Sequence, residues 1–247
     1  MILVRIVLSG VAYVVVVLDT VISGAIGTLV GFIPPRGDWT VRAARVWARV
    51  ALAGALIRVR CEGADLIPRD APVVFMANHE SWVDIPALMI AIPVQVRFLA
   101  KKSLFKVPFL GWAMAAMGFV PVDRANRRTA VASFEEAAAR IRTGRSVLLF
   151  PEETRTRDGS LLPFQRGGFL IALKARVPIV PVGLEGPRRC LPKHSYLVRP
   201  GTVTVRFGAA IPTAELGVTA KGALMEQTRT AIERLRGNTP AASAVTA

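Results

Sequence analysis

Residues 72–84 read PVVFMANHESWVD. The apolar run at residues 73–76 predicts a buried strand, because β-branched and aromatic side chains favour strands. The polar segment that follows carries His79, one of two histidines in the chain, and Asp84 five residues later. Inside one helix, at about 100° per residue, the two side chains would lie roughly 140° apart. A hydrogen bond between them therefore requires His79 on the turn after the strand and Asp84 in or near the first turn of a helix.

Short apolar runs alternate with helical stretches along the rest of the chain, which predicts an α/β fold with a largely parallel sheet flanked by helices. The predicted strands cover residues 57–61, 73–76, 94–100, 119–122, 147–150, 179–184 and 203–207. The clearest predicted helices cover residues 126–142 and 213–235. Because open α/β sheets bind ligands at the carboxyl ends of their strands, the turn that carries His79 is the expected site.

The composition combines a strong positive charge with an apolar sequence. The 247 residues carry a formal charge of +15, and 52% of them are hydrophobic. Nucleic-acid-binding proteins are also basic but are rarely so apolar, whereas a protein that rests on anionic lipid has both properties. We therefore expect an anionic membrane surface as a partner, and no nucleic acid. Cys61 and Cys190 lack the spacing of a zinc site or a disulfide framework.

Residues 2–33 are almost continuously apolar, apart from Arg5, Asp19 and several glycines. One helix of that length would measure about 48 Å, more than the ~30 Å hydrocarbon core of a bilayer requires. A charge at mid-bilayer costs about 2.5–3.5 kcal/mol on insertion scales. Asp19 therefore favours a shorter span that ends near it, or two short helices in one leaflet. A cleaved signal peptide is the alternative to such a retained anchor.

Residues 41–59 have the pattern of an amphipathic helix. Arg42, Arg45 and Arg49 recur at helical spacing beside an apolar surface. The arginines suit anionic headgroups, but an ordinary solvated helix face packed on the core has the same pattern. The pattern leaves both interpretations open.

Three further blocks follow the His79 block: residues 118–124 (GFVPVDR), residues 150–156 (FPEETRT) and residues 177–182 (VPIVPV). In this order and spacing, the four blocks resemble those of the glycerolipid acyltransferases, and most closely the bacterial 1-acylglycerol-3-phosphate acyltransferases. The resemblance covers residues 72–182 and, more loosely, the apolar N-terminus. One position departs from the family pattern, since Glu153 stands where the third block usually has glycine. A glutamate would resist the positive φ that glycine permits, at a cost of order 1 kcal/mol.

The resemblance implies acyl transfer from acyl-CoA or an acyl carrier protein to the sn-2 hydroxyl of lysophosphatidate, giving phosphatidate. His79 would act as the general base and Asp84 would orient it. A thiolate leaves a thioester readily, so direct attack by the hydroxyl needs little further help. The resemblance also implies substrate contacts from basic and polar residues in the blocks and between them. These are Lys101, Lys102, Arg124, Glu152, Thr154 and Arg155.

The same resemblance implies a location at the cytoplasmic face of the cell membrane. We expect membrane-associated helices over residues 1–60, an α/β acyltransferase domain over residues 61–236 and a disordered tail over residues 237–247. We expect no metal and no other cofactor. His194 lies outside the blocks and is predicted to be a surface loop residue.

Three alternatives remain open at this stage. The acceptor could instead be glycerol 3-phosphate, another lysophospholipid or a lyso-ornithine lipid. Ser81 could act as an acylated nucleophile. A non-enzymatic basic binder of membrane surfaces would use the charge without the chemistry, and the His79→Ala variant distinguishes it from an enzyme.

Overall fold

A computed structural model describes residues 2–34, 37–123 and 127–237. Within these residues, seven strands form one sheet. The strands are β1 (Ile57–Glu62), β2 (Val74–Ala77), β3 (Val96–Lys101), β4 (Val120–Val122), β5 (Ser146–Leu149), β6 (Ile179–Glu185) and β7 (Gly201–Phe207). The helices are α1 (Ile2–Val30), α2 (Asp38–Gly54), α3 (Asp84–Ala91), α4 (Leu110–Ala116), α5 (Arg127–Arg142), α6 (Arg166–Ala175), α7 (Pro187–Cys190) and α8 (Lys221–Leu235).

The strand order is β1-β7-β6-β2-β5-β3-β4. The five strands from β6 to β4 are mutually parallel. Strand β7 runs antiparallel to β6, and β1 pairs in parallel with β7. The prediction of a largely parallel sheet is therefore confirmed, and each predicted strand has its counterpart. The carboxyl ends of five strands meet at one edge, which is where the sequence placed the site.

Helices cover both faces of the sheet. Successive side chains of a strand point to opposite faces, so one strand contributes to the core on each side. Phe75 and Ala77 of β2 join a core formed with α2, α3 and α4. Val74 and Met76 join the second core, which contains side chains of α5, α6 and α8. Strand β2 is buried on both faces, and its end is therefore held rigidly where the chemistry is expected.

Helix α1 corrects the expectation for the N-terminus. It runs without a break from Ile2 to Val30, through Asp19. The Asp19 carboxylate accepts a hydrogen bond of 2.8 Å from the Ser23 hydroxyl one turn later, which partners the charge within the helix. The helix therefore neither ends near Asp19 nor divides in two. It is long and apolar enough to cross a membrane by length and composition.

Small residues hold α1 against α2 and α4. A side chain at Gly24 would meet the backbone of Phe109, and one at Gly27 would meet Thr40. The Thr40 hydroxyl donates a hydrogen bond of 2.8 Å to the Gly27 carbonyl. The opposite side of α1 is apolar and exposed, with side chains that include Leu3, Val4, Val7, Val14, Val17, Leu18, Ile22 and Leu29.

Helix α2 begins and ends earlier than the predicted 41–59, since β1 already begins at Ile57. The expected domain boundary after residue 60 therefore falls inside β1. Arg45 donates hydrogen bonds to the carbonyls of Ile92 and Val94, at 2.9 and 2.8 Å. This arginine supports the C-terminal end of α3 inside the protein and is not free for a headgroup.

Helix α8 begins at Lys221, later than the predicted residue 213. The Thr213 hydroxyl donates to the Val177 carbonyl at 2.7 Å, and Ile211 forms a bridge with Ile179 of β6. These contacts hold the segment before the helix in an extended form. The predicted helix at 126–142 is confirmed from Arg127 onward. Residues 126 and 238–247, with most of the expected tail, lie outside the described residues.

Candidate active site

His79 and Asp84 are joined by a hydrogen bond of 2.6 Å between Nδ1 and Oδ2. Strand β2 ends at Ala77, and Asp84 is the first residue of α3, so the local geometry required by the sequence is present. The same Oδ2 accepts the backbone N–H groups of Glu80 and Ser81, at 2.7 and 2.9 Å. With Nδ1–H donated to the carboxylate, Nε2 is the ring atom left to accept a proton.

Glu152 holds the turn that carries His79. Its Oε1 accepts the His79 N–H at 2.7 Å, and its Oε2 accepts the Leu162 N–H at 2.8 Å. The carboxylate is thus bonded to the backbone rather than to Arg155 or Arg157. Burial raises the pKa of Glu152 to about 7, although the two N–H donors favour its charged form. Glu152 therefore lies behind the imidazole and orders it.

Two further contacts fix the position of the imidazole. The Phe150 ring stacks on the His79 ring, with 3.9 Å between centroids and 15° between planes. The His79 carbonyl accepts the Thr156 N–H at 2.9 Å. The side chain of His79 is 15% exposed, whereas that of Asp84 is fully buried. A substrate can therefore reach the ring but not the carboxylate behind it.

Asn78 and Ser81 are structural residues of the same turn. Asn78 exchanges two hydrogen bonds with the backbone of Leu184, at 2.7 and 3.0 Å, and so ties the end of β2 to β6. The Ser81 hydroxyl is fully buried and donates to the Leu191 carbonyl at 2.7 Å. A nucleophile must reach its substrate, so this geometry disfavours Ser81 as the acylated residue.

Arg155 lies beside the His79 turn. Its guanidinium stacks 4.7 Å from the centre of the exposed Trp82 ring. Partial burial lowers the pKa of Arg155, and the charge of Asp84 opposes that shift. Lys193 donates hydrogen bonds to the Arg155 carbonyl at 2.6 Å and to the Thr154 hydroxyl at 3.3 Å. Cationic groups from two separate loops therefore lie close together beside the His79 turn.

Lys101 and Lys102 lie at the carboxyl end of β3 and are exposed. Strand β5 separates β3 from β2, so these lysines lie further along the same edge from His79. Lys102 Nζ is 3.6 Å from Asp123 Oδ2 at the end of β4. Arg124 lies outside the described residues.

Glu153 adopts the left-handed conformation that glycine would favour, with φ of 56°. Its N–H donates to the Phe150 carbonyl at 3.0 Å, which closes the turn after β5. The turn after β5 therefore holds a glutamate at a positive φ, at a cost of order 1 kcal/mol.

Sequence reasoning missed Lys193 and Arg236 near this site. Lys193 directly precedes His194, which is exposed as predicted. Arg236 is buried and lies 3.1 Å from Glu80. Both come from segments far along the chain and outside the four blocks, and no local pattern marks them.

The described residues contain no group of three or more histidine, cysteine, aspartate or glutamate side chains that could hold a metal ion. Cys61 and Cys190 are separate free thiols. Burial raises the pKa of both thiols, which reduces the reactive thiolate. The groups suited to chemistry at this edge are therefore His79 and Asp84.

Comparisons with known proteins show which sequences and which fold this chain resembles. A profile of the family described as Acyltransferase matches residues 58–185. A chloroplastic 1-acyl-sn-glycerol-3-phosphate acyltransferase of Brassica napus is 36% identical over 153 residues, which are 62% of this chain and 44% of that protein. The alpha form of 1-acyl-sn-glycerol-3-phosphate acyltransferase from Homo sapiens is 33% identical over 174 residues, which are 70% of this chain and 62% of that protein. The chain thus spans less than two thirds of the length of either relative.

The crystal structure of the 1-acyl-sn-glycerophosphate acyltransferase of Thermotoga maritima has a similar fold. The TM-score is 0.81 and the sequence identity is 24%, over 93% of each chain. This likeness establishes the fold. It extends over nearly the whole chain, well beyond the segment that the family profile matches.

Proposed function

The chain belongs to the Acyltransferase family, and we propose that it transfers an acyl group from acyl-CoA or an acyl carrier protein to the sn-2 hydroxyl of lysophosphatidate, giving phosphatidate. The observation that carries the proposal is the hydrogen bond between His79 and the buried Asp84 at the carboxyl end of β2. It provides a base with a fixed tautomer at an accessible ring nitrogen.

The reaction begins when His79 Nε2 takes the proton of the acceptor hydroxyl. The hydroxyl oxygen attacks the thioester carbonyl, and a tetrahedral oxyanion forms. Its collapse makes the ester and breaks the carbon–sulfur bond, and the imidazolium returns the proton to the departing thiolate. Asp84 stabilises the imidazolium while it exists. General-base assistance of this kind contributes about 10²–10⁴-fold to the rate.

Arg155 is the proposed first ligand of the acceptor phosphate, because a guanidinium binds phosphate oxygens in a bidentate manner. Its stacking on Trp82 and its position beside the His79 turn support this role. Thr154 shares its loop and contributes a hydroxyl at the same rim. The proposed further phosphate contacts are Lys101, Lys102 and Arg124. Glu152 is assigned to ordering the His79 turn, since both of its oxygens accept backbone N–H groups.

The proposed location is the cytoplasmic face of the cell membrane, with α1 as the anchor. The apolar outer side of α1 is continued by Val107 and Trp112, which are 43% and 53% exposed. Arg42 stacks over the exposed Trp39 ring on α2, a pairing suited to the headgroup region. Lipid acceptors and lipid products would reach the site from such a surface.

A second candidate is the same chemistry on another acceptor, such as glycerol 3-phosphate, a lysophospholipid with a larger headgroup or a lyso-ornithine lipid. The observation that favours it is Glu153. Glu153 follows Glu152 directly and is one of the residues that line a small pocket with Phe150. A negative charge there disfavours a phosphate monoester and favours a headgroup that carries an amine.

The test is acyl transfer by the purified protein in mixed micelles, with labelled acyl-CoA or acyl carrier protein and each acceptor in turn. The His79→Ala variant is expected to lose about 10²–10⁴-fold in rate. His194→Ala is the matched control, because it removes the other histidine, which is exposed. Near-normal turnover by a folded His79→Ala protein would refute the mechanism. Transfer to a different acceptor alone would keep the mechanism and replace the substrate.

A further inference from the structure

Three carboxylates are buried around the His79 turn. Glu80 is 7% exposed, Asp84 is fully buried and Glu152 is 4% exposed. Burial and the charge of Asp84 both raise the pKa of Glu80. Three like charges in a space from which water is excluded are unfavourable unless a cation balances them.

Arg236 is the buried cation of this cluster. It follows the last residue of α8 and is 6% exposed. Its Nη2 lies 3.1 Å from Glu80 Oε1 and also donates to the Gly159 carbonyl. Its charge acts on both Glu80 and Glu152, and favours their ionised forms.

The contacts lead from Arg236 to the imidazole through two residues, Glu80 and Asp84. Glu80 is bound by Arg236 and by Asn78 Nδ2, the latter at 3.2 Å. The backbone N–H of Glu80 donates to Asp84 Oδ2, the atom that binds His79 Nδ1. A displacement of Glu80 would therefore move a donor of the carboxylate that orients the base.

We propose that Arg236 is a positioning residue for the His79–Asp84 pair, and that it acts by holding and neutralising Glu80. This inference rests on the proposed function. Without Arg236, Glu80 would keep the backbone donor and the charge of Arg188, which favour its ionised form. An ionised Glu80 that lacks Arg236 would add unbalanced negative charge one residue from His79 and favour the protonated ring, which cannot accept a proton. Arg236 lies beyond residues 58–185, which match the family profile. The assignment therefore comes from the fold alone.

Two other arginines act on carboxylates of this cluster. Arg155 stacks on Trp82, and its charge interacts with Asp84. The backbone and the charge of Arg188 lower the pKa of Glu80. The exposed side chain of Arg188 packs over Gly159. These two arginines stay in place in the variants below, and the variants of Glu80 and Arg236 change only that buried pair.

The test uses the full chain with five variants: Arg236→Met, Arg236→Lys, Glu80→Gln, the double variant of Arg236→Met with Glu80→Gln, and Arg206→Met. Arg206 is the matched control, because it bonds the Leu235 carbonyl at the same end of α8 at 3.0 Å. It pairs with Glu62 and Glu185, and neither of these belongs to the His79 turn. Loss of Arg206 should lower the melting temperature only.

The first readout does not depend on activity. It is the ¹⁵N NMR spectrum of the protein in micelles, labelled at its histidines. The chain has two histidines, so the spectrum reports the ring of His79 at the site and the ring of His194 as an internal reference. At neutral pH the protonated fraction of His79 should rise in Arg236→Met, fall in Glu80→Gln and return towards wild type in the double variant. His194 should not change in any of them.

The second readout is the pH profile of acyl transfer. In Arg236→Met, kcat should fall by up to about tenfold at neutral pH, because a nearby charge shifts a titration by about one unit and so changes the unprotonated fraction by at most tenfold. KM should stay constant, and Arg236→Lys should restore most of the loss. If Arg236→Met lowers the melting temperature while the His79 ring and the pH profile stay as in wild type, Arg236 is only structural and the proposal is wrong. Absence of acyl transfer in the wild type would overturn the proposed function, while the ring measurement would still decide the role of Arg236.

Discussion

The Asp84→Asn variant separates the charge of Asp84 from its geometry. Oδ2 accepts three hydrogen bonds, from His79 Nδ1 and from the N–H groups of Glu80 and Ser81. Oδ1 is buried and has no hydrogen-bond partner among the residues that the structure describes. An asparagine can place its oxygen where Oδ2 lies and keep all three bonds. Its NH₂ group then occupies the position of Oδ1, so the variant loses the negative charge and keeps the orientation of the ring.

The expected loss follows from the charge that develops during the reaction. An imidazolium and a carboxylate about 4 Å apart attract by about 4 kcal/mol at an effective dielectric constant of 20. Loss of that attraction lowers the rate by roughly 10²–10³-fold, at 1.36 kcal/mol for each factor of ten. Asp84→Ala also leaves three donors without an acceptor, at about 1–3 kcal/mol each. It should therefore be slower than Asp84→Asn and less stable.

The assay is the initial rate of phosphatidate formation over a range of acceptor concentrations, with thermal unfolding of each variant as the control for folding. The loss in Asp84→Asn should lie in kcat with KM constant, because Asp84 is fully buried and does not reach the substrate. A kcat within about fivefold of wild type for Asp84→Asn would refute the argument from charge. Equal rates for the asparagine and alanine variants would show that the amide fails to keep the three bonds.

Two further substitutions test the turn after β5. In the wild type, each oxygen of Glu152 accepts one backbone N–H group. A glutamine has only one oxygen, so one of the two N–H groups loses its acceptor in Glu152→Gln, and the free energy of unfolding should fall by about 1–3 kcal/mol. Because the folded pKa of Glu152 is raised to about 7, wild type should lose stability relative to this variant as pH rises from about 4.5 through 7. Denaturant unfolding at several pH values checks both statements, and a pH-independent difference would contradict the second. Glu153→Gly should raise the free energy of unfolding by up to about 1 kcal/mol and leave kcat unchanged, because Glu153 has a φ of 56°, which glycine adopts without strain. A loss of stability in the same measurement would contradict this.

The sequence predicted the features that depend on neighbours along the chain. The period of apolar residues identified all seven strands to within a few residues. The five-residue interval between His79 and Asp84 required a strand, a turn and a helix start, and each is present. The sequence can predict such features because the period of a helix or strand, and hydrogen bonds between residues close along the chain, depend on nearby residues. Asp19 misled the prediction for α1, since a hydrogen bond to Ser23 partners its charge within the helix.

By itself, then, the sequence determined the fold class, the edge of the sheet that carries the site and the identity of the candidate base. Only the tertiary structure determined what surrounds that base. Strand β2 lies between β5 and β6, which come much later in the chain, and this order brings Glu152 behind the imidazole. Arg236 reaches Glu80 across 156 positions. Contacts of this kind depend on the order of strands and the packing of helices, which no local pattern of residues specifies.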